Sequence, residues 1–290
     1  MSRAAAIAAL AGANGSLACG LSWVSESALF EFAGTAFAEG IAEALALVAR
    51  ASLLDLAFIP AECSWAIEAV GCLREADIAA VWAVGGPLGR VGARIGWTEA
   101  LRLSAADPAS LAIALDESLH EVLAEVRAGV SVGTDAILIG DELSAASGPL
   151  VSPDFALDAL VPCYHRCAVE IKASGVVAAF HSDGDVRALM PALARAGFSA
   201  LHLGGLSPEP FLASFGAARA AGLVVLGGIE AAALAGGARR AGEHAGAAAL
   251  AGGLIVCDDG GMTTSEELAA FAVAVEVARA EYERGEDHAR

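Results

Sequence analysis

The sequence predicts a single-domain α/β fold, a (β/α)8 TIM barrel spanning residues 1–290. Three observations lead there. Eight short apolar runs alternate with helix-length stretches, the order expected of parallel strands joined by crossover helices. The runs are continuous rather than alternately polar and apolar, as strands covered on both faces are. No Gly-x-Gly-x-x-Gly follows the first run, which weighs against an open doubly wound sheet. A chain of 290 residues is an ordinary length for one barrel, and 57% hydrophobic with 18% charged residues is enough for a large core.

The expected strands are Ser16–Gly20, Leu54–Ile59, Ala79–Val84, Asp135–Ile139, Val176–Phe180, Ala200–Leu203, Leu223–Leu226 and Gly252–Val256. The intervening helices are expected over Phe37–Arg50, Ser64–Val70, Ala109–Ala128, Phe155–Ala173, Val186–Ala196, Pro210–Ala221, Ala231–His244 and Glu266–Tyr282. Ser152-Pro153-Asp154 sets an N-cap before a proline suited to a first helical turn. Thr264-Ser265-Glu266-Glu267 supplies a cap and acids for the positive end of a helix dipole. Gly175, Gly197 and Gly222 stand where helices must stop before a strand. The residues from Gly85 to Asp107 are too many for a short connection and predict an elaborated loop over the mouth. The Ala-rich start, Ala4 to Ala13, has a faint likeness to a leader peptide but runs directly into barrel-like segments.

The formal net charge of −18 repels phosphate backbones and argues against a nucleic-acid partner. No run is long and apolar enough to predict a membrane span. The cysteines at 19, 63, 72, 163, 167 and 257 are too dispersed for a disulfide scaffold and read as reduced thiols, the expectation for a cytoplasmic chain. Cys163, His165 and Cys167 would share a helix, where the two thiols face one way and the imidazole another, so they read as packing residues.

Function in a barrel collects where strands end. Those ends carry Glu62, Gly85-Gly86, Asp141 and Glu142, His181 and Asp183, His202, Gly227-Gly228, and Cys257 with Asp258 and Asp259. His181 and Asp183 are two apart at a strand end and point the same way, which suits one imidazole and one carboxylate on a divalent metal. Cys257 or Asp258 would complete that set; a glycine turn with solvated acids is the alternative. Asp141 and Glu142 could hold a metal, act as a general base with one raised pKa, or bind backbone N–H groups. Arg90 and Arg94 are candidates for a substrate carboxylate, unless they pair with nearby acids. The glycines at 227 and 228 would let backbone approach a ligand, and Glu62 and His202 complete the expected substrate contacts.

Several stretches together resemble the uroporphyrinogen decarboxylase superfamily. Residues 133–142, GTDAILIGDE, followed by Gly148, Ser152-Pro153 and Pro162, are similar to one of its characteristic passages. Phe180-His181-Ser182-Asp183-Gly184-Asp185 is similar to its His-x-x-Gly strand end, and Gly197-Phe198-Ser199-Ala200 to the entry of the next strand. The likeness runs from about Asp55 to the C-terminus. It implies either decarboxylation of a tetrapyrrole or zinc-dependent methyl transfer with a corrinoid protein. The decarboxylases' N-terminal Arg-Gln-Ala-Gly-Arg-Tyr signature is missing, since the only arginines before Ala51 are Arg3 and Arg50. The resemblance therefore implies a metal-assisted methyltransferase: Zn2+ on His181, Asp183 and Cys257 or Asp258, Glu142 and Asp141 assisting, a small methyl donor or acceptor, and a corrinoid (cobalamin) protein as partner. A tetrapyrrole lyase and a non-catalytic binding barrel are the alternatives.

Overall fold

The computed structural model describes residues 2–13, 15–34, 40–145 and 148–289. It opens with helix α1 (Arg3–Leu10), capped by the Ser2 hydroxyl. Then follow β1 (Gly20–Leu21), α2 (Glu26–Ala33), α3 (Ile41–Ala51), β2 (Leu56–Pro60), α4 (Ala66–Glu75) and β3 (Ala79–Gly85). Three helices, α5 (Pro87–Ile95), α6 (Trp97–Ala106) and α7 (Pro108–Val132), lead to β4 (Ala136–Gly140). The second half runs α8 (Val161–Ala173), β5 (Val177–Asp183), α9 (Met190–Ala196), β6 (Ala200–Gly204), α10 (Pro208–Ala220), β7 (Val224–Ile229), α11 (Ala238–Ala249), β8 (Leu254–Asp258) and α12 (Ser265–Ala289).

The eight strands form one parallel sheet in chain order. A parallel bridge between Cys19 and Val256 brings the first and last strands together and closes the barrel. All eight expected strands are present. The first lies at the end of Ser16–Gly20 and runs on to Leu21; it passes close to its neighbours, since a Cβ on Gly20 would meet Leu56 and come within 3.5 Å of Cys257 Sγ.

Side chains alternate across each strand. One set, including Phe58, Val81, Ala83, Leu138, Ala179, Leu226, Ile255 and Cys257, fills the barrel interior. The other set, including Ile59, Trp82, Ile139, Phe180 and Val256, packs beneath the helices. Helix α1 seals the lower end: Ala6 and Leu10 join the interior cluster, and Arg3 makes a two-pronged ion pair with Asp135 at 2.9 and 2.6 Å. The leader-like segment is thus the floor of the barrel.

Elsewhere the helices depart from expectation for local reasons. Gly85–Asp107, expected as a loop, holds α5 and α6, with Gly96 at φ +88° turning one into the other. The stretch expected as one helix from Phe155 to Ala173 contains a π-helical turn, Ala156–Leu160, just before Pro162, which has no N–H to give the preceding turn. The helix expected from Ala231 begins only at Ala238, after Gly236 at φ +75°. The expected beginning of α3, residues 37–39, lies outside the described residues. No helix among the described residues is long and apolar enough to cross a membrane.

Candidate active site at the barrel mouth

The interior alternation, carried past the last hydrogen-bonded residues, decides which strand-end side chains face the mouth. A cavity of about 490 Å3 opens there, lined by Trp23, Glu62, Glu142, His181, Asp183 and Asp259, with glycines 85, 140, 205, 260 and 261. Among the described residues, no Lys or Arg lines it.

His181 sits on β5, in register with Gly140 on one side and His202 on the other. Gly140 lies against its ring: a Cβ there would stand in ordinary contact, 3.5 Å from His181 Cδ2. Behind it His202 is fully buried, with the two Nδ1 atoms 2.8 Å apart. The His202 Nε2–H donates to the Asp258 carbonyl at 2.9 Å, because a carbonyl can only accept. Burial holds both imidazoles below their ordinary pKa, and the neighbouring ring lowers His181 further, so both are neutral. The hydrogen-bond chain then assigns the tautomers. His202 offers an Nδ1 lone pair, His181 donates its Nδ1–H, and the His181 Nε2 lone pair faces the cavity.

That lone pair looks onto two carboxylates, Asp183 Oδ1 at 3.8 Å and Glu142 Oε1 at 4.0 Å. Desolvation, aided by the charges of Asp183 and Asp141, pushes the Glu142 carboxyl up to about 7. Burial also raises Asp183, and raises Asp259 to about 6 even though the Ala231 N–H donates to it at 2.8 Å. Asp183 folds across Gly204, where any Cβ would collide with its Oδ1.

The neighbours of these residues in sequence point elsewhere. Asp141 turns under the helix layer, accepting from the Leu88 and Gly89 N–H groups at 3.0 and 2.6 Å and from the Tyr164 hydroxyl at 2.8 Å. It anchors the N-terminus of α5, and desolvation pushes its carboxyl up to about 6 against those donors. Asp258 is also taken up: the Ser22 N–H and the Gly260 N–H donate to it at 2.7 and 3.0 Å, and the Ser22 hydroxyl donates a further short bond. Cys257 lies one layer below the mouth in the apolar interior, its thiol raised well above the ordinary value by burial. Arg90 and Arg94 face α7, where they pair with Glu125 at 2.6 Å and Glu121 at 2.7 Å. Gly227 packs its backbone on Phe211, a Cβ there falling 2.8 Å from the ring, and Gly228 borders a separate cavity between α10 and α11.

The structure therefore brings together Glu62, Glu142, His181 and Asp183, with His202 behind them, and leaves out Cys257, Asp258, Arg90, Arg94, Gly227 and Gly228. Of the strand-end acids it also brings in Asp259, and it adds Trp23. Strand alternation singles out Asp259, two residues beyond the interior Cys257; nothing in the sequence marks Trp23, which follows a two-residue strand.

The donors do not fit the zinc centre on His181, Asp183 and Cys257 or Asp258 that the resemblance implies: Asp258 is taken up by Ser22 and Gly260. The strand-end thiol of Cys257 is turned into the core, and no three His, Cys, Asp or Glu side chains among the described residues are grouped to hold a metal ion. The separations of 3.8 and 4.0 Å at His181 exceed the roughly 3.3 Å between neighbouring ligands of a tetrahedral zinc with bonds near 2.0 Å.

Residues 36–278 match the family described as Uroporphyrinogen decarboxylase (URO-D). Among solved structures the chain is similar to a methyltransferase from Methanosarcina mazei, at 17% identity over 96% of this chain and 98% of that one, with a TM-score of 0.73. It also resembles a prophage protein of the dihydrodipicolinic acid synthase family from E. coli (15% identity, 94% and 77% covered, TM-score 0.53). A chitinase from Chromobacterium violaceum is comparable (14% identity, 89% and 99% covered, TM-score 0.53). At these identities the structures speak for the shared barrel. No curated protein matches the chain.

Proposed function

This chain belongs to the uroporphyrinogen decarboxylase family, and from that premise we propose that it is a methyltransferase, passing a methyl group between a small molecule in the barrel mouth and a corrinoid carried by a partner protein. One observation supports this reading above the others: the mouth presents a neutral His181 lone pair beside the Glu142 and Asp183 carboxylates, with no basic side chain among the described residues of its wall. Such a site suits a small neutral or cationic molecule. A porphyrinogen carries several carboxylates and would need cations there, and the arginines that could have served are neutralised on the outer face.

In methyl transfer the electron pair of the broken bond stays on the donor's heteroatom. His181 and Glu142 flank the space where that atom would sit. Glu142, with its carboxyl near 7, exchanges protons at neutral pH and adjusts to the charge the heteroatom carries before and after transfer. His202 keeps the His181 lone pair turned outward, and Trp23 packs on the ring at a centroid distance of 4.6 Å, limiting its movement. The corrinoid supplies the methyl-accepting or methyl-donating centre when its protein docks over the mouth.

The reading is tested by mixing purified protein with a reduced corrinoid protein and candidate methylated donors, and following the corrinoid absorption spectrum. Methylation that depends on the enzyme and is lost in His181→Gln is expected. Decarboxylation of uroporphyrinogen, or methylation unaffected by His181→Gln, would overturn it.

A further inference from the structure

The mouth has a second chamber. Beside the first lies a cavity of about 420 Å3 bounded by Trp97, Ser144, Ala145 and Leu150. Glu142, Asp183 and Gly205 line both, so the two acids stand on the partition. Each chamber has one indole on its wall, Trp23 in the first and Trp97 in the second. Trp97 is 37% exposed, yet it is held in place: its ring lies on α5 at Gly92, where a Cβ would stand 2.9 Å from Cδ2 and Cε2. Among the described residues, neither chamber is lined by a Lys or Arg. His181, only 8% exposed, turns its Nε2 into the first chamber, with both acids beyond hydrogen-bond reach at 3.8 and 4.0 Å.

Two carboxylates and an imidazole lone pair thus converge with no positive side chain between them among the described residues. Their electrostatic complement is a cation. A hydrated metal ion calls for a compact set of oxygen or nitrogen ligands, which is not assembled among the described residues. An alkylated ammonium ion calls for something different: diffuse negative charge and aromatic surface, because its methyl groups leave it few or no N–H donors. The partition acids and the two indoles supply that combination.

We propose that the divided mouth binds a methylated ammonium ion at the Glu142–Asp183 partition, between Trp23 and Trp97, and that on the methyl-transfer reading above this ion is the methyl donor. In the transfer the carbon–nitrogen bond breaks and its electron pair stays on nitrogen, which becomes a neutral amine. The methyl group passes to the reduced corrinoid, whose own electron pair forms the new bond. No proton is consumed. Loss of the positive charge leaves the two carboxylates uncompensated, which favours release of the amine.

The test is calorimetric titration of the protein, without any corrinoid, with choline and with its neutral isostere 3,3-dimethylbutan-1-ol. Choline is expected to bind at least about tenfold more tightly. Trp97→Leu is expected to weaken choline about fivefold, and Trp97→Phe to restore most of the loss, with thermal melts confirming that both variants fold. Equal affinity for the two probes, or an unchanged choline affinity in Trp97→Leu, would overturn the proposal. The two readings fail separately. Selective choline binding with no methyl transfer to a corrinoid keeps the cation site and removes the methyltransferase reading. Demethylation of a neutral methoxy donor without choline binding does the reverse.

Discussion

His181 and His202 share a hydrogen bond between their Nδ1 atoms, 2.8 Å long, within the upper interior of the barrel. The register that pairs their strands makes this bond, and the Asp258 carbonyl at the far end of His202 fixes its direction. The chemistry of the mouth depends on that direction, because it decides which nitrogen of His181 meets a ligand.

Removing the inner ring should therefore harm the outer one. In His202→Ala the His181 Nδ1–H loses its acceptor and the ring is free to turn. A lost buried hydrogen bond of about 1–3 kcal/mol corresponds to a fall of about fivefold to 150-fold in methyl transfer. NMR should also show the His181 ring-nitrogen shifts moving, since the bond that holds its proton on Nδ1 is gone. An unchanged rate and unchanged ring-nitrogen shifts would mean that the pair is only packing.

Glu142 should make stability depend on pH. Its folded pKa, about 7, lies above the ordinary value of 4.5. Between those values the folded chain keeps a proton that the unfolded chain has released, so stability falls as pH rises through that window. Glu142→Gln removes this residue's share of the dependence, leaving that of Asp141, Asp183 and Asp259. Its Tm should match the wild type near pH 4 and exceed it at pH 8, by a margin reduced through solvent screening of this half-exposed group. A Tm difference independent of pH would contradict the assignment.

The barrel was legible because its signal is repeated eight times: an apolar run such as Ala79–Gly85 of β3 or Leu254–Asp258 of β8 is short, buried almost throughout and followed by polar or glycine residues. The site was less legible because acids come in adjacent pairs. Asp141-Glu142 and Asp258-Asp259 look alike as letters, yet one residue of each pair faces the mouth and the other is used to hold the frame. The alternation of β4 and β8 separates them once the interior residues Leu138 and Cys257 are known. The fate of Arg90 and Arg94 could not be read this way, since it depends on acids some 27 to 35 positions later on α7.

Asp141 and Gly86 should behave as one structural unit. A Cβ on Gly86 would lie 2.5 Å from Asp141 Cγ, so Gly86→Ala displaces the carboxylate that receives the Leu88 and Gly89 N–H groups. Asp141→Ala leaves those two donors and the Tyr164 hydroxyl without their acceptor. Each substitution should cost about 2–4 kcal/mol in urea unfolding, from several buried groups losing partners. The double variant should cost less than the sum, because both act on the same contacts.

Arg90→Ala offers the contrasting case. Its charged partners, Glu125 at 2.6 Å and Glu121 at 3.7 Å, are partly exposed on α7, and its Nε–H also donates to the Gly85 carbonyl at 3.0 Å in an exposed bond. The change should lower stability by no more than about 1 kcal/mol and leave KM for the small substrate unaltered. A large rise in KM would return this arginine to the substrate site.

The last prediction concerns zinc and the thiol at 257. A thiolate ligand must be within reach of the metal, and Cys257 is not: it is fully buried in the barrel interior, one layer below the mouth. Protein grown with added zinc should therefore carry far less than one equivalent, and Cys257→Ser should not change that amount. In the native state Cys257 should also be inert to a thiol reagent that labels the half-buried Cys63 and Cys72, and should react only on unfolding. Stoichiometric zinc lost in Cys257→Ser would require β8 to present its interior face at the mouth one residue pair earlier, which its pairing of Cys257 with Gly228 opposes. Stoichiometric zinc retained in Cys257→Ser but lost in His181→Gln would place the metal among the mouth carboxylates instead, where Asp183, Glu142 and Asp259 are the side chains with oxygen to offer.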